Sequence, residues 1–241
     1  MLENIELILF DLDNTLYDFN DKWNVGTFNT FNNSILTKGL SFDEFIIQYK
    51  KNDNRYWDLH HKGEVELDDV RRLRLIDTLK FFKRNVTSEE ADLYFQEFIS
   101  EVFDLIEPDE KVNQFLREIK DSYKVGIITN GKIHEQQLKI RNLGLDRLIP
   151  NEHIFISDGI GYSKPHSKAF LTALDYFKIK PVNTVYIGDS WDNDILGSKA
   201  VGINPIWINL YSKERKDNEP VLTYKNIYNL IGDWQSKVVI K

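Results

Sequence analysis

The chain has 241 residues, 41% of them hydrophobic and 29% charged, with a formal net charge of −7, the profile of a soluble globular protein long enough to bury a substantial core. That acidic balance argues against a nucleic-acid polymer as partner, since such polymers attract concentrated Lys and Arg; a small phosphate ester, which needs only a local cation, stays open. There is no cysteine, so disulfides, thiol nucleophiles and thiolate metal sites are excluded.

The first element is the apolar run Ile5–Phe10, which ends in Asp11-Leu12-Asp13-Asn14-Thr15. An apolar run closed by turn residues fits a strand buried on both faces of an α/β sheet. Ligands of such sheets lie beyond the carboxyl ends of the strands, where Asp11 and Asp13 fall. Alternate residues of an extended backbone share a face, so the two carboxylates are expected close together. They then need a shared cation, a proton on one of them, or divergence into solvent. A surface turn or helix N-cap is the competing reading. The two acids interrupt the first hydrophobic run, and no apolar run reaches membrane-spanning length. No membrane partner is expected, and the location is read as cytoplasmic.

From Thr15 to about Glu107 the pattern is helical and rich in aromatic residues, with no convincing strand. Leu93, Phe95, Phe98, Ile99, Val102, Phe103 and Ile106 share one helix face, and Thr87 with Glu90 has the spacing of a capping box. A run of helices inserted between strands reads as a separate helical subdomain over 16–107, closing near Pro108. Residues 1–15 and 108–241 are then the core. Strands and helices alternate there: a helix over Val112–Ile119, a strand Tyr123–Ile128, a helix Ile133–Asn142 stopped by Leu143-Gly144, and a strand His153–Ser157. A helix Ala169–Phe177, a strand Thr184–Ile187, a helix Asp194–Val201 and a strand Pro205–Ile208 follow, then a polar tail after Tyr211 with a helical stretch around Ile227–Trp234. This alternation predicts an α/β fold, a doubly wound, Rossmann-like parallel sheet with helices on both faces.

Three later loops fall at strand ends on the edge that carries Asp11. Thr129-Asn130-Gly131 offers a hydroxyl and backbone N–H groups ahead of a helix, a place that attracts anions. Lys164 stands just before a helix start, with Pro165 setting the turn. Gly188-Asp189-Ser190-Trp191-Asp192-Asn193-Asp194 crowds carboxylates where a hard cation could bind. Taken singly these are an ordinary turn, a surface lysine and an N-cap. Their order, each after a separate strand, points to one phosphoryl site.

With Asp11-x-Asp13-x-Thr15, Thr129, Lys164 and Gly188-Asp189-x-x-x-x-Asp194 in place, the chain resembles the haloacid dehalogenase-like hydrolases. The likeness runs to about residue 210, with the helical insertion matching that family's helical cap. It implies a Mg²⁺-dependent phosphatase, with Asp11 as nucleophile forming an aspartyl phosphate and Asp13 as general acid and base. It also implies Mg²⁺ on Asp11, the backbone carbonyl of Asp13 and Asp189, with Asp194 supporting the metal shell or Lys164. Lys164, the Thr129 hydroxyl and the N–H groups of Asn130 and Gly131 would hold the phosphoryl oxygens. A second acid at position 13 is unlike the family's dehalogenases. The wording Gly126–Gly131, Gln136-Gln137 and Asp194-Ile195-Leu196-Gly197 is similar to its pyrimidine and noncanonical 5'-nucleotidases, so the expected substrate is a small phosphorylated metabolite, a nucleoside 5'-monophosphate. Cap aromatics such as Trp23, Phe28, Tyr56 and Trp57 would suit a base. A sugar-phosphate phosphatase or mutase, and more remotely a non-catalytic phosphoacceptor of the receiver type, are the alternatives.

Overall fold

The computed structural model describes residues 4–214 and 220–236. Residues 215–219 of the polar tail and the expected core's end at 241 lie outside the described residues. In chain order the elements are β1 (Leu7–Phe10), α1 (Phe19–Asn33), α2 (Phe42–His61), α3 (Leu67–Phe81), α4 (Ser88–Asp104), α5 (Glu110–Ile119), β2 (Lys124–Thr129) and α6 (Ile133–Asn142). They continue with β3 (Ile154–Ile156), α7 (Ser157–Ile160), α8 (Ser167–Phe177), β4 (Thr184–Gly188), α9 (Gly197–Lys199), β5 (Asn204–Ile208), β6 (Leu222–Tyr224) and α10 (Ile227–Gln235). Two compact units result, Met1–Asn20 with Ile106–Lys241, and Asp21–Leu105.

The first unit is built on a parallel six-stranded sheet in the order β3-β2-β1-β4-β5-β6. Every side chain of β1 is fully buried. Leu7 and Leu9 join Ala169, Phe170, Ala173 and Phe177 of α8 in one apolar cluster. Phe10 faces the other way and meets Phe115 of α5 edge-on at 6.4 Å, and Phe115 in turn meets Trp234 of α10 at 5.5 Å. Alternate β1 residues thus feed two helical layers, each fully buried large side chain stabilising by roughly 1.5–3 kcal/mol. The chain winds from β1 outward to β3, then restarts at β4 on the other side. The strand order therefore reverses between β1 and β4, and the crevice beyond their carboxyl ends is the expected place for a ligand. A receiver-type fold needs the order 2-1-3-4-5 instead.

The second unit is helical throughout its described residues. Phe31, Phe45, Tyr49, Leu75, Leu79, Ala91 and Tyr94 form its core. The capping box at the start of α4 is present: Glu90 N–H donates to Thr87 Oγ1 at 3.2 Å and Thr87 N–H donates to Glu90 Oε2 at 2.8 Å. Arg74 of α3, only 1% exposed, lies 5.1 Å from the ring centroids of both Trp23 and Tyr49 and donates to Asp53 at 2.6 Å.

Three core segments differ from the sequence reading. The strand expected to run through Ser157 stops at Ile156, and Ser157 opens the short helix α7. A sixth strand, Leu222–Tyr224, adds to β5 at the sheet edge, and the helix expected from Asp194 begins earlier as a π-helical turn over Trp191–Leu196 before α9.

Candidate active site

Asp11 directly follows β1 and stays in register with the sheet, its N–H donating to Ile187 O at 2.8 Å. Its carboxylate Oδ1 accepts from Lys164 Nζ at 2.6 Å. The same ammonium donates to Asp194 Oδ1 at 2.7 Å and to the Tyr186 hydroxyl at 2.8 Å. Tyr186, from the middle of β4, donates in turn to Ile128 O at 3.0 Å. Three chain segments thus converge on one buried lysine. Asp11 and Asp194 outweigh the burial that would lower it, so Lys164 is held above the usual lysine range and remains an ammonium. Burial pushes Asp11 well above the ordinary carboxylate range, Lys164 opposing and Asp194 and Asp189 adding to it.

Lys164 is itself clamped. Asn130 Nδ2 donates to Lys164 O and Lys164 N–H donates to Asn130 Oδ1, each at 2.9 Å. The residue expected to offer its backbone N–H to an anion therefore uses its side chain to lock two loops together. Gly131 N–H donates to Ser157 Oγ at 3.0 Å. Its φ of +147° suits glycine, and a Cβ there would come within 3.0 Å of Gln136.

The acidic loop after β4 closes the group. Asp194 Oδ2 accepts from Ser190 N–H at 2.9 Å, so both its oxygens are engaged. It folds back over Gly188, where an added Cβ would stand 2.5 Å from its carboxyl carbon. Asp189 is steadied through its backbone, whose carbonyl accepts from Trp207 Nε1 at 2.8 Å, while its carboxylate has Lys213 at 3.4 Å. Burial and Asp194 raise Asp189 to about 6 against the weaker pull of Lys213. Asp11, Asp189 and Asp194 present oxygens within 4.8 Å of one another. Hard carboxylate oxygens so grouped fit Mg²⁺ rather than a soft metal. With Lys164 on Oδ1 of Asp11, both Asp194 oxygens engaged and Lys213 on Oδ2 of Asp189, Asp11 Oδ2 and Asp189 Oδ1 are the carboxylate oxygens of this group left for a cation among the described residues.

Asp13 takes a different direction. Asn14, at φ +61°, turns the chain in the left-handed conformation that Asn tolerates, bringing Tyr17 back so that its hydroxyl donates to Asp13 Oδ1 at 2.6 Å. Lys139 Nζ donates to both carboxylate oxygens, at 3.0 and 2.8 Å, and Gln136 Nε2 to Oδ2 at 3.2 Å. Gln136 also donates to Thr129 Oγ1 at 2.5 Å, tying Thr129 to Asp13. The expected crowding of Asp11 and Asp13 is relieved by an ammonium for each: Lys164 for one, Lys139 for the other. Burial and Asp13 raise Tyr17 well above the usual phenol value, so it remains a donor.

Lys139 is not named from the sequence, and Gln136 only as wording similar to the 5'-nucleotidases, not as a site residue. The available signal was two long polar residues three apart on one face of α6, both almost fully buried in the fold.

A family model for haloacid dehalogenase-like hydrolases matches residues 5–202. The chain is 32% identical over 215 residues to the glyceraldehyde 3-phosphate phosphatase of Pyrococcus furiosus, covering 86% of this chain and 81% of that one. It is 25% identical to the pyrimidine 5'-nucleotidase YjjG of Escherichia coli, over 92% and 95% of the two chains. Among solved structures, the magnesium-bound HAD-hydrolase YfnB of Bacillus subtilis superposes with a TM-score of 0.80 at 22% identity, covering 98% of this chain and 100% of that one.

Proposed function

The chain belongs to the haloacid dehalogenase-like hydrolases, and from that premise we propose that it is a magnesium-dependent phosphatase whose substrate is a nucleoside 5'-monophosphate. It is an enzyme, a phosphoric monoester hydrolase. The observation that carries this reading is Asp11 at the carboxyl edge of β1, joined to Lys164 at 2.6 Å and grouped with Asp189 and Asp194 within 4.8 Å.

Asp11 attacks phosphorus as the bond to the leaving oxygen breaks, giving an aspartyl phosphate. Asp13, protonated at an oxygen that has let go one of its hydrogen bonds to Lys139, Tyr17 or Gln136, gives that proton to the leaving oxygen, then takes one from the water that attacks phosphorus, releasing phosphate and restoring Asp11. Lys164, the Thr129 hydroxyl and the backbone N–H groups at Asn130 and Gly131 stabilise the phosphoryl oxygens, which requires the Gly131 amide to leave Ser157. Asp194 keeps Lys164 in place. Asp11, the backbone carbonyl of Asp13 and Asp189 would hold Mg²⁺, which would supply positive charge against the phosphoryl oxygens. A cytoplasmic location belongs to the same reading, and no helix among the described residues is long and apolar enough to cross a membrane.

Of the four aromatics expected to suit a base, Phe28 and Trp57 keep exposed ring surface of the kind that stacks on one, although Phe28 also meets Phe42 edge-on at 4.9 Å. A second reading, a three-carbon sugar phosphate, is favoured by the identity to the Pyrococcus furiosus enzyme. It is favoured too by the packing of Trp23 against Phe98 at 4.5 Å and of buried Tyr56 on Asp77 at 2.6 Å, which removes two of the four aromatics from a ligand surface. Phosphate release from nucleoside monophosphates, glyceraldehyde 3-phosphate and hexose phosphates, with Mg²⁺ and after chelation, tests both. A higher kcat/KM on nucleotides is expected. Preference for the triose phosphate transfers the assignment to the second reading, and absence of Mg²⁺-dependent release from every ester defeats both.

A further inference from the structure

We infer that Lys139 is the positioning residue for Asp13, fixing the orientation in which that carboxylate exchanges protons with the leaving group and with water. The inference rests on the acid–base assignment of Asp13 proposed above.

Lys139 sits on α6, is 5% exposed, and has its ammonium 3.9 Å from the centroid of the Phe19 ring on one side and on both oxygens of Asp13 on the other. Surface lysines are solvated and mobile, and burying one costs side-chain entropy and desolvation that only a specific partner offsets. The partner here is a carboxylate gripped from three directions. Oδ1 accepts from Lys139 and Tyr17, and Oδ2 from Lys139 and Gln136. Tyr17 reaches Asp13 from the turn after β1 and Gln136 also serves Thr129, so among the described residues Lys139 is the one donor that spans both oxygens. A carboxylate bonded at both oxygens has its plane fixed. Proton transfer to a leaving oxygen needs that plane fixed to within a fraction of an ångström.

Kinetics on two esters with different leaving groups test this. An alkyl phosphate needs a proton on its leaving oxygen, whereas p-nitrophenyl phosphate releases a stable anion and needs Asp13 only for the water step. Lys139→Met should lower kcat on the alkyl ester by about 10²-fold, at the lower end of what general acid–base catalysis supplies. With p-nitrophenyl phosphate it should give a burst of one nitrophenolate per enzyme followed by slow turnover, as should Asp13→Asn, and the double variant should be no slower than Asp13→Asn alone. A double-mutant cycle on unfolding should show the two residues coupled. Lys139→Met that slows both esters equally without a burst, or stays within twofold of the parent, overturns the inference. If Lys139→Met does not fold, Lys139→Gln is read by the same burst, and parental kinetics in it overturn the inference as well. Slow Asp13→Asn beside fast Lys139→Met sinks this inference alone, whereas unchanged turnover in Asp13→Asn sinks the acid–base assignment with it.

Discussion

Asn130 and Lys164 hold each other by two reciprocal hydrogen bonds of 2.9 Å, side-chain amide to backbone in both directions. The pair fastens the loop after β2 to the turn before α8 and so fixes where the Lys164 ammonium stands. Replacing Asn130 by Ala removes both bonds and leaves a backbone donor and acceptor unpaired, at a cost of roughly 1–3 kcal/mol. The expected result is a measurably lower unfolding midpoint in urea together with reduced kcat. A midpoint that moves without any kcat change would show that Lys164 is held well enough by Asp11 and Asp194.

Asp11→Asn removes the attacking oxygen while keeping size and fold. Turnover should fall on the order of 10⁴-fold or more, as for other nucleophile deletions. Relief of repulsion from Asp189 and Asp194 should leave thermal stability of the metal-free protein undiminished. Residual turnover above one per cent would place the nucleophile elsewhere.

Mg²⁺ binding to the native state alone should raise stability by about 2.7 kcal/mol at a concentration 100-fold above its dissociation constant, which for a chain of this size is a Tm increase of roughly 5–11 °C. Asp189→Asn should abolish most of that increase. Differential scanning fluorimetry in Mg²⁺ and in chelator measures it, and an undiminished increase in the variant would remove Asp189 from the cation's ligands.

The raised position of Asp189 gives the metal-free protein a pH signature. Because its folded value, about 6, lies above the unfolded one, its contribution is fully present below the unfolded value and is lost as pH rises through about 6. The loss is on the order of 3 kcal/mol. Metal-free protein should therefore be less stable at neutral pH than at mildly acidic pH through this group, with Asp11 acting in the same sense. Asp189→Asn should flatten the profile. Since a ligating carboxylate must be ionised, the Mg²⁺-dependent rise in Tm should be greater at neutral pH than below pH 6.

In the helical unit, the buried Arg74 tests how charge and packing combine. Its guanidinium lies among aromatic rings with one ion pair to Asp53, while Nε and Nη2 have no hydrogen-bond partner among the described residues. Arg74→Ala opens a cavity and strands Asp53, a loss of about 3 kcal/mol or roughly 6–12 °C in Tm. Arg74→Met, which keeps the volume, should recover part of it. Equal Tm for Arg74→Ala and the parent would mean that the rings close over the gap.

The sheet and its reactive edge were readable because buried parallel strands are unbroken apolar runs, and because Asp11, Lys164, Asp189 and Asp194 each follow such a run or open the helix after it. What escaped reading has physical causes. Leu222-Thr223-Tyr224 is too short for periodicity to distinguish from a loop, and only pairing with β5 makes it a strand. The π-helical turn at Trp191–Leu196 goes together with the fold-back of Asp194 over Gly188 to Lys164, a tertiary contact that no local propensity encodes. Lys139 and Gln136 look like the solvated face of a polar helix. Their burial depends on where Asn14 turns the chain, so neither was recognisable until Asp13 was seen to point at α6.

The hydrogen bond from the Trp207 indole to the Asp189 carbonyl, with the Trp191 ring 4.9 Å from that of Trp207, makes the acidic loop optically self-reporting. Any rearrangement there as a cation arrives must alter the surroundings of two fluorophores already in the chain, so occupancy can be followed by intrinsic emission in stopped flow, with no label and no turnover.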